Sequence, residues 1–231
     1  MASMHRSWAV VGWLAPVALM LLLVTSNVRF TAGSLPVYDA LFERYGVAER
    51  TGITPEGLRG VGAQVQDYLA TDTEPLRVRA EVYGVERDLF GADEVSHMAD
   101  VKVLFQQTFR LQGGSALFLA IVGGLAASSF RRAAWATIAA WLRRGALMTV
   151  AVIAVVGIGS LVAFDQLFLL FHYIGFPQGN FLFDTRTSYL VQVFPFGFWR
   201  DITLLIGAMT LAEAAALYGV GFLVRRVQAR P

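Results

Sequence analysis

The stretch from Trp8 to Val28, WAVVGWLAPVALMLLLVTSNV, carries no charged side chain. About 20 such residues are what a helix needs to cross the hydrocarbon of a bilayer, and in hydrocarbon every backbone group must be paired within its own segment, so the stretch reads as a helix. Three more apolar blocks follow: residues 105–127, interrupted near the start by Arg110; residues 146–171, with Asp165 near the end; and residues 202–224, containing Glu213. The chain of 231 residues is 56% hydrophobic and only 16% charged, more apolar than a soluble domain of that length requires. The fold class expected is an α-helical integral membrane protein with four transmembrane helices and a small α+β extracytoplasmic cap.

The first block also has a signal-peptide reading, with His5 and Arg6 as a basic start and Thr25 and Ser26 as small residues near its end. Its apolar run exceeds the roughly 7–15 residues of a signal core, and no Ala-x-Ala follows. An uncleaved anchor is expected.

Orientation follows from arginine. Arg131, Arg132, Arg143 and Arg144 fill the connection between the second and third blocks, Arg6 precedes the first, and Arg225, Arg226 and Arg230 follow the fourth. Basic flanks mark the cytoplasmic side. Residues 1–28 are thus a cytoplasmic tail and first span, 29–104 an extracytoplasmic cap and 105–127 the second span. Residues 128–145 are a cytoplasmic loop, 146–171 the third span, 172–201 an extracytoplasmic loop, 202–224 the fourth span and 225–231 a cytoplasmic tail. The net charge of +2 is a consequence of this topology. It is no signal for nucleic acid, and no stacking or groove-reading motif is present. With no cysteine in the chain, disulfides, a thiolate nucleophile and a cysteine metal cage are excluded.

The cap has readable elements. Pro36 to Tyr45 reads as a short helix ended by Gly46, with Leu41, Phe42 and Tyr45 on one face. Thr54-Pro55-Glu56 is a helix start: a capping hydroxyl, a proline in the first turn and an acid near the positive end of the helix dipole. Leu58, Val61, Val65, Tyr68 and Leu69 then recur at helical spacing. Leu76, Val78, Ala80 and Val82 alternate with Arg77, Arg79 and Glu81, a period of two that predicts a strand. Tyr189, Val191 and Val193 alternate similarly, which makes that segment the expected partner strand.

Two of the three histidines lie where a polar segment meets an apolar block. Asp93 is the expected cap of a helix running through His97, Asp100 and Lys102 into the second span, and Asp100, three residues beyond His97, falls on the same face. Asp165, Leu169 and His172 share a face in the third block, where an ionisable residue is a functional candidate whose partner must be named. For Asp165 those partners are His172, Arg186 or Arg200. Histidine takes and returns a proton near neutral pH, so the pair points to acid–base chemistry on a molecule at the interface. The plainer readings are interfacial polar histidines, arginines that hold lipid headgroups, and an aromatic belt in the run Phe164, Phe168, Phe171, Tyr173, Phe176, Phe181 and Phe183. Glu213 and Arg110 read as an ion pair or as snorkelling side chains, without chemistry.

The string His97-Met98-Ala99-Asp100-Val101-Lys102, leading into an apolar span, resembles the His-x-x-Asp-Val-Lys pattern of lipoprotein intramolecular transacylases. So do Phe164-Asp165-Gln166 through Phe171-His172 to Phe176, Asp184-Thr185-Arg186-Thr187, Phe194-Pro195-x-Gly197-Phe198-Trp199, and Pro36-Val37-Tyr38 to Phe42-x-Arg44-Tyr45-Gly46. The resemblance covers nearly the whole chain. It departs at Ser188, where an aspartate is expected soon after Thr187, and at Phe196, where an acid is expected after Pro195.

What the resemblance implies is transfer of the sn-2 acyl chain of a diacylglyceryl-modified lipoprotein to the α-amino group of its N-terminal cysteine, without cofactor or metal. The partners are then diacylglyceryl lipoproteins and membrane phospholipid, at the outer face of a bacterial cell membrane. His97 is expected as base and His172 as electrophile or proton donor, an assignment open to reversal, with Asp100 and Asp165 orienting them. Lys102, Arg186, Arg200, Phe171, Tyr173 and Phe176 are the expected substrate contacts. Two alternatives stand beside it: a metal-dependent lipid or ester hydrolase, short of ligands because no His-Glu-x-x-His occurs, and a non-enzymatic lipid-binding accessory protein.

Overall fold

The structure, a computed structural model, describes residues 2–130 and 133–228, with side chains from Trp8 onward. Arg131, Arg132 and Arg230, and the side chains of His5 and Arg6, lie outside the described residues. In chain order the elements are α1 (Ala2–Ala32), α2 (Leu35–Arg44), α3 (Val47–Thr51), α4 (Pro55–Ala70), β1 (Arg79–Val82), β2 (Val85–Asp88), α5 (Ala92–Phe130), α6 (Ala134–Val162), α7 (Phe164–Gly175), α8 (Tyr189–Val193) and α9 (Phe196–Gln228). Four of these, α1, α5, α6 and α9, are long and apolar enough to cross a membrane. The chain divides into two compact units.

The first unit comprises the chain up to Val28, Phe109–Ile158 and the chain from Leu205. Its described residues are helical. Ala15, Val122, Ala126 and Trp141 form one buried cluster and Leu19, Leu23, Ala146 and Ala214 another. Small residues set the helix spacing, as they do where lipid supplies no hydrophobic drive and close packing holds helices together. A Cβ at Gly145 would stand 2.8 Å from Leu19, and one at Gly221 would stand 2.9 Å from the Ala139 carbonyl oxygen. Asn27 donates to Thr210 at 3.1 Å and to the Glu213 carboxylate at 2.8 Å. Glu213 therefore takes its hydrogen bond from an asparagine on α1 rather than serving as the ion partner of Arg110.

The second unit joins Arg29–Thr108 to Gly159–Leu204. Helix α4 begins where the capping sequence places it: Thr54 Oγ1 accepts the Gly57 N–H at 3.1 Å, and Leu58, Val61, Val65, Tyr68 and Leu69 are buried. Helix α2 buries Tyr38 and Phe42, whose rings pack with Phe194 and Phe198 at centroid separations of 5.3–6.0 Å.

Two expectations are corrected here. The strand beginning near Leu76 is paired with β2, in the register Arg79↔Asp88 to Val82↔Val85, and not with residues 189–193. The alternation is real, with Leu76, Val78, Ala80 and Val82 all buried. The hairpin turn, however, is made by Tyr83 and Gly84, both at positive φ, and every residue of β2 is exposed, so no apolar alternation announces it. Residues 189–193 form α8, burying Leu190 and Val193 at helical spacing. The third apolar block is also not continuous: α6 ends at Val162, Ala163 has φ −147 and ψ 47, and α7 starts at Phe164. Hydropathy does not register that break because both sides of it are apolar.

Candidate functional site

The site is built in the second unit from the first turns of α5, from α7, and from the segment after α7. Helix α5 is started by Glu94 rather than by Asp93. The Glu94 carboxylate reaches back to accept the Gly91 N–H at 2.6 Å, and it also accepts from the Ser188 hydroxyl and, at 2.8 Å, from the Leu190 N–H. A carboxylate near the helix N-terminus suits the dipole, and three donors satisfy it although it is buried. His97 follows one turn later, only 6% exposed.

His172 stands near the C-terminal end of α7. Its Nδ1 is 2.7 Å from the Phe168 carbonyl oxygen. A carbonyl oxygen only accepts, so Nδ1 carries the hydrogen and the neutral ring keeps its lone pair on Nε2. The His97 and His172 ring centroids are 6.0 Å apart with an interplanar angle of 18°. Phe176, 2% exposed, packs against both, at 4.7 Å from His97 and 5.3 Å from His172. Phe183 lies 5.6 Å from His97, and Phe168 and Phe181 lie 4.2 and 5.2 Å from His172. Such a lining disfavours the charged form of an imidazole, and burial holds His172 below the ordinary histidine range. Two uncharged imidazoles side by side can accept protons in succession.

The expected orienting carboxylates are placed differently. Asp100 does not bond His97; its Oδ2 accepts from Gln178 and, at 2.8 Å, from Asn180. Asp165 does not bond His172, whose Nδ1 is taken by Phe168. It is exposed in the first turn of α7, where an acid is favoured by the helix dipole, and Arg186 and Arg200 are engaged elsewhere.

Of the expected substrate contacts, Lys102 is a buried structural tie. Its Nζ donates to the Thr73 carbonyl, lies 3.1 Å from Glu74 and sits 4.2 Å over the Tyr68 ring. Tyr68 donates to the same carboxylate at 2.9 Å, and burial together with Glu74 pushes its phenol well up. Arg186 folds back on Asp184 at 2.8 Å. Arg200 pairs with Asp201, which also takes Arg44 at 3.1 Å and the Tyr45 hydroxyl at 2.8 Å. Phe171 and Tyr173 are 49% and 59% exposed, although the Phe171 ring lies 5.4 Å from His172. Phe176 is the lining residue proper.

Both departures from the family pattern have local partners. Ser188 gives Glu94 a donor, and Phe196 packs edge-on against Phe164 at 4.9 Å and Phe168 at 5.3 Å. Sequence reasoning missed Glu94, Gln178 and Asn180 as parts of the site. The available signal was Phe176-Pro177-Gln178-Gly179, a turn with proline second and glycine fourth, with Asn180 directly after it. Among the described residues no group of three or more His, Asp or Glu side chains converges to hold a metal ion.

The family pattern of the lipoprotein intramolecular transacylase Lit matches residues 13–199 of the chain. Among solved structures, the membrane integral lipoprotein intramolecular transacylase Lit from Bacillus cereus is similar, with a TM-score of 0.84 at 12% identity, over 100% of this chain and 100% of that one. Structures of the same protein with one histidine replaced by alanine or by arginine give TM-scores of 0.79 and 0.72, at 11% and 12% identity. The first covers 100% of this chain and 99% of that one, and the second 98% and 97%. Comparison with curated protein sequences gives no match. The apolar helices and this shared fold make the chain a multi-pass membrane protein.

Proposed function

The chain belongs to the lipoprotein intramolecular transacylase family Lit, and on that premise we propose that it moves the sn-2 acyl chain of a diacylglyceryl lipoprotein onto the α-amino group of the lipoprotein's N-terminal cysteine. The reaction takes place on the extracytoplasmic side, the side away from the arginine-rich connections.

The observation that carries this reading is the His97–His172 pair at 6.0 Å, lined by phenylalanine rings. The amino terminus starts as an ammonium with three protons and ends as an amide with one. Two protons must leave it, and two uncharged imidazoles stand ready for them. His172 takes the first through Nε2, and the freed amine attacks the ester carbonyl. The resulting imidazolium donates to the oxyanion of the tetrahedral intermediate. His97 takes the second proton and delivers it to the glyceryl oxygen as the carbon–oxygen bond breaks. The proton left on His172 returns to water. Nucleophile and ester belong to one molecule, so holding them together lowers the barrier without a covalent enzyme intermediate. The apolar rings around the pair suit the acyl chain that moves.

The test is expression in a bacterium that lacks such an activity, with lipoprotein N-termini read by mass spectrometry. The expected product is an N-acylated lyso-lipoprotein, one acyl chain on nitrogen and one on glycerol. Diacylglyceryl lipoprotein with a free amino terminus, despite folded protein in the membrane, would overturn the proposal.

A further inference from the structure

Two buried polar atoms near the histidine pair have no hydrogen-bond partner: Nδ1 of His97 and Oδ1 of Asn180. Asp100, the partner of the Asn180 amide, stands three residues beyond His97 on α5, and Asn180 is among the groups that act on the His97 ring. The position of Asn180 comes from a tight turn after α7, in which Gly179 adopts φ 79 and donates its N–H to the Phe176 carbonyl oxygen at 3.0 Å. The other end of the amide is fixed, because Nδ2 donates to Asp100 at 2.8 Å.

We propose that Asn180 is a positioning residue for His97, an amide relay that carries the demand of the Asp100 carboxylate to the imidazole and fixes which ring nitrogen bears the proton. An amide presents two unlike ends, and which end points where follows from its partners. The Asp100 oxygen accepts from Nδ2, so the NH₂ of Asn180 is turned toward Asp100. The amide oxygen is then left facing His97. An oxygen only accepts, so the neutral His97 ring places its hydrogen on Nδ1 and its lone pair on Nε2. Gln178 donates to the same Asp100 oxygen, which braces the carboxylate against rotation. His172 reaches the same state by another route, through the Phe168 carbonyl. Both rings then offer Nε2 as acceptor, as the transfer of two protons requires. The role assigned to Asn180 rests on the acyl-transfer reading; the proton position does not.

Three histidines in the chain make the experiment direct. The protein is labelled with ¹⁵N-histidine in detergent, and signals are assigned with His5→Gln and His172→Gln. Nitrogen shifts distinguish the two neutral tautomers. The expected wild-type result is His97 protonated on Nδ1. Asn180→Ala should release the ring to the Nε2–H form and lower acyl transfer by roughly 10- to 100-fold, the range for losing a group that orients a functional histidine. In Asp100→Asn the amide at 180 is no longer forced one way, so both tautomers of His97 should appear while the His172 signals stay unchanged and report an intact fold. A wild-type His97 protonated on Nε2 would overturn the proposal, and so would an Asn180→Ala protein that keeps the Nδ1–H form. If the expected tautomer is found while wild-type protein makes no N-acylated product, the acyl-transfer reading falls and the relay stands.

Discussion

The hydroxyl of Ser188 donates to the buried carboxylate of Glu94, 94 positions earlier in the chain. This bond pins the segment before α8 to the first turn of α5, one turn ahead of His97. Glu94→Ala would leave the Gly91 N–H, the Leu190 N–H and the Ser188 hydroxyl without their acceptor, and buried groups left unpaired cost about 1–3 kcal/mol each before relaxation and water recover part of it. The expected loss is about 3 kcal/mol, read as a lower unfolding temperature in detergent. Ser188→Asp, the residue expected from the family pattern, should also destabilise, because two carboxylates would then face each other in a buried setting. A Ser188→Asp protein as stable as wild type would show that Glu94 does not need that donor.

Lys102 gives a prediction of the opposite kind from the role first expected of it. Its ammonium is committed to Thr73, Glu74 and the Tyr68 face, so Lys102→Met should lower stability by about 2 kcal/mol, the sum of a charged hydrogen bond and a cation–π contact. The KM for lipoprotein should stay unchanged in protein that remains folded. A large rise in KM at normal stability would restore Lys102 as a substrate contact.

How far the sequence reads toward the fold depends on whether each element announces itself locally. Thr54-Pro55-Glu56 carries its own start signal, and α4 begins at Pro55. The four apolar blocks needed only composition and length. Strand β2 had neither, since Val85–Asp88 is wholly exposed and owes its place to the turn at Tyr83 and Gly84. The break at Ala163 lies between apolar residues and puts Asp165 in the first turn of α7, where the helix dipole favours an acid. For the site, His97 and His172 were legible because histidine at an apolar boundary is uncommon chemistry. Their orienting groups were not, because a backbone carbonyl such as that of Phe168 has no sequence signature, and Asn180 acquires meaning only through the turn that carries it.

Acid should weaken the fold through His172. Burial holds its imidazole below the ordinary value of 6.5, whereas the unfolded chain exposes the ring and binds a proton at that value. Between the two values the unfolded state holds more protons than the folded one, so stability falls as pH is lowered through about 6.5 and levels off below the folded value. Besides the phenylalanine rings, the polar groups facing His172 are the His97 ring and the Phe168 carbonyl; among the described residues no carboxylate bonds it. Unfolding temperatures measured at about pH 7.5 and about pH 5.5 should differ, and the difference should shrink in His172→Gln. An unchanged difference in that variant would assign the acid sensitivity to other groups.

Separate substitutions of the two histidines should give different products. Asparagine keeps a hydrogen-bonding edge of similar size but cannot take up a proton, so His97→Asn removes the delivery of the second proton to the glyceryl oxygen. Acyl migration should fall by about 10²–10⁴-fold, the range for losing a general acid or base, while lipoprotein still binds. His172→Asn should be milder, because an amide N–H still donates one hydrogen bond to the oxyanion and water can take the first proton. Mass spectra of lipoprotein N-termini should then show diacylglyceryl lipoprotein with a free amino group for His97→Asn, and a mixture with N-acylated lyso-lipoprotein for His172→Asn. Wild-type levels of the N-acylated product from His97→Asn would remove His97 from the proton path and leave His172 as the sole base.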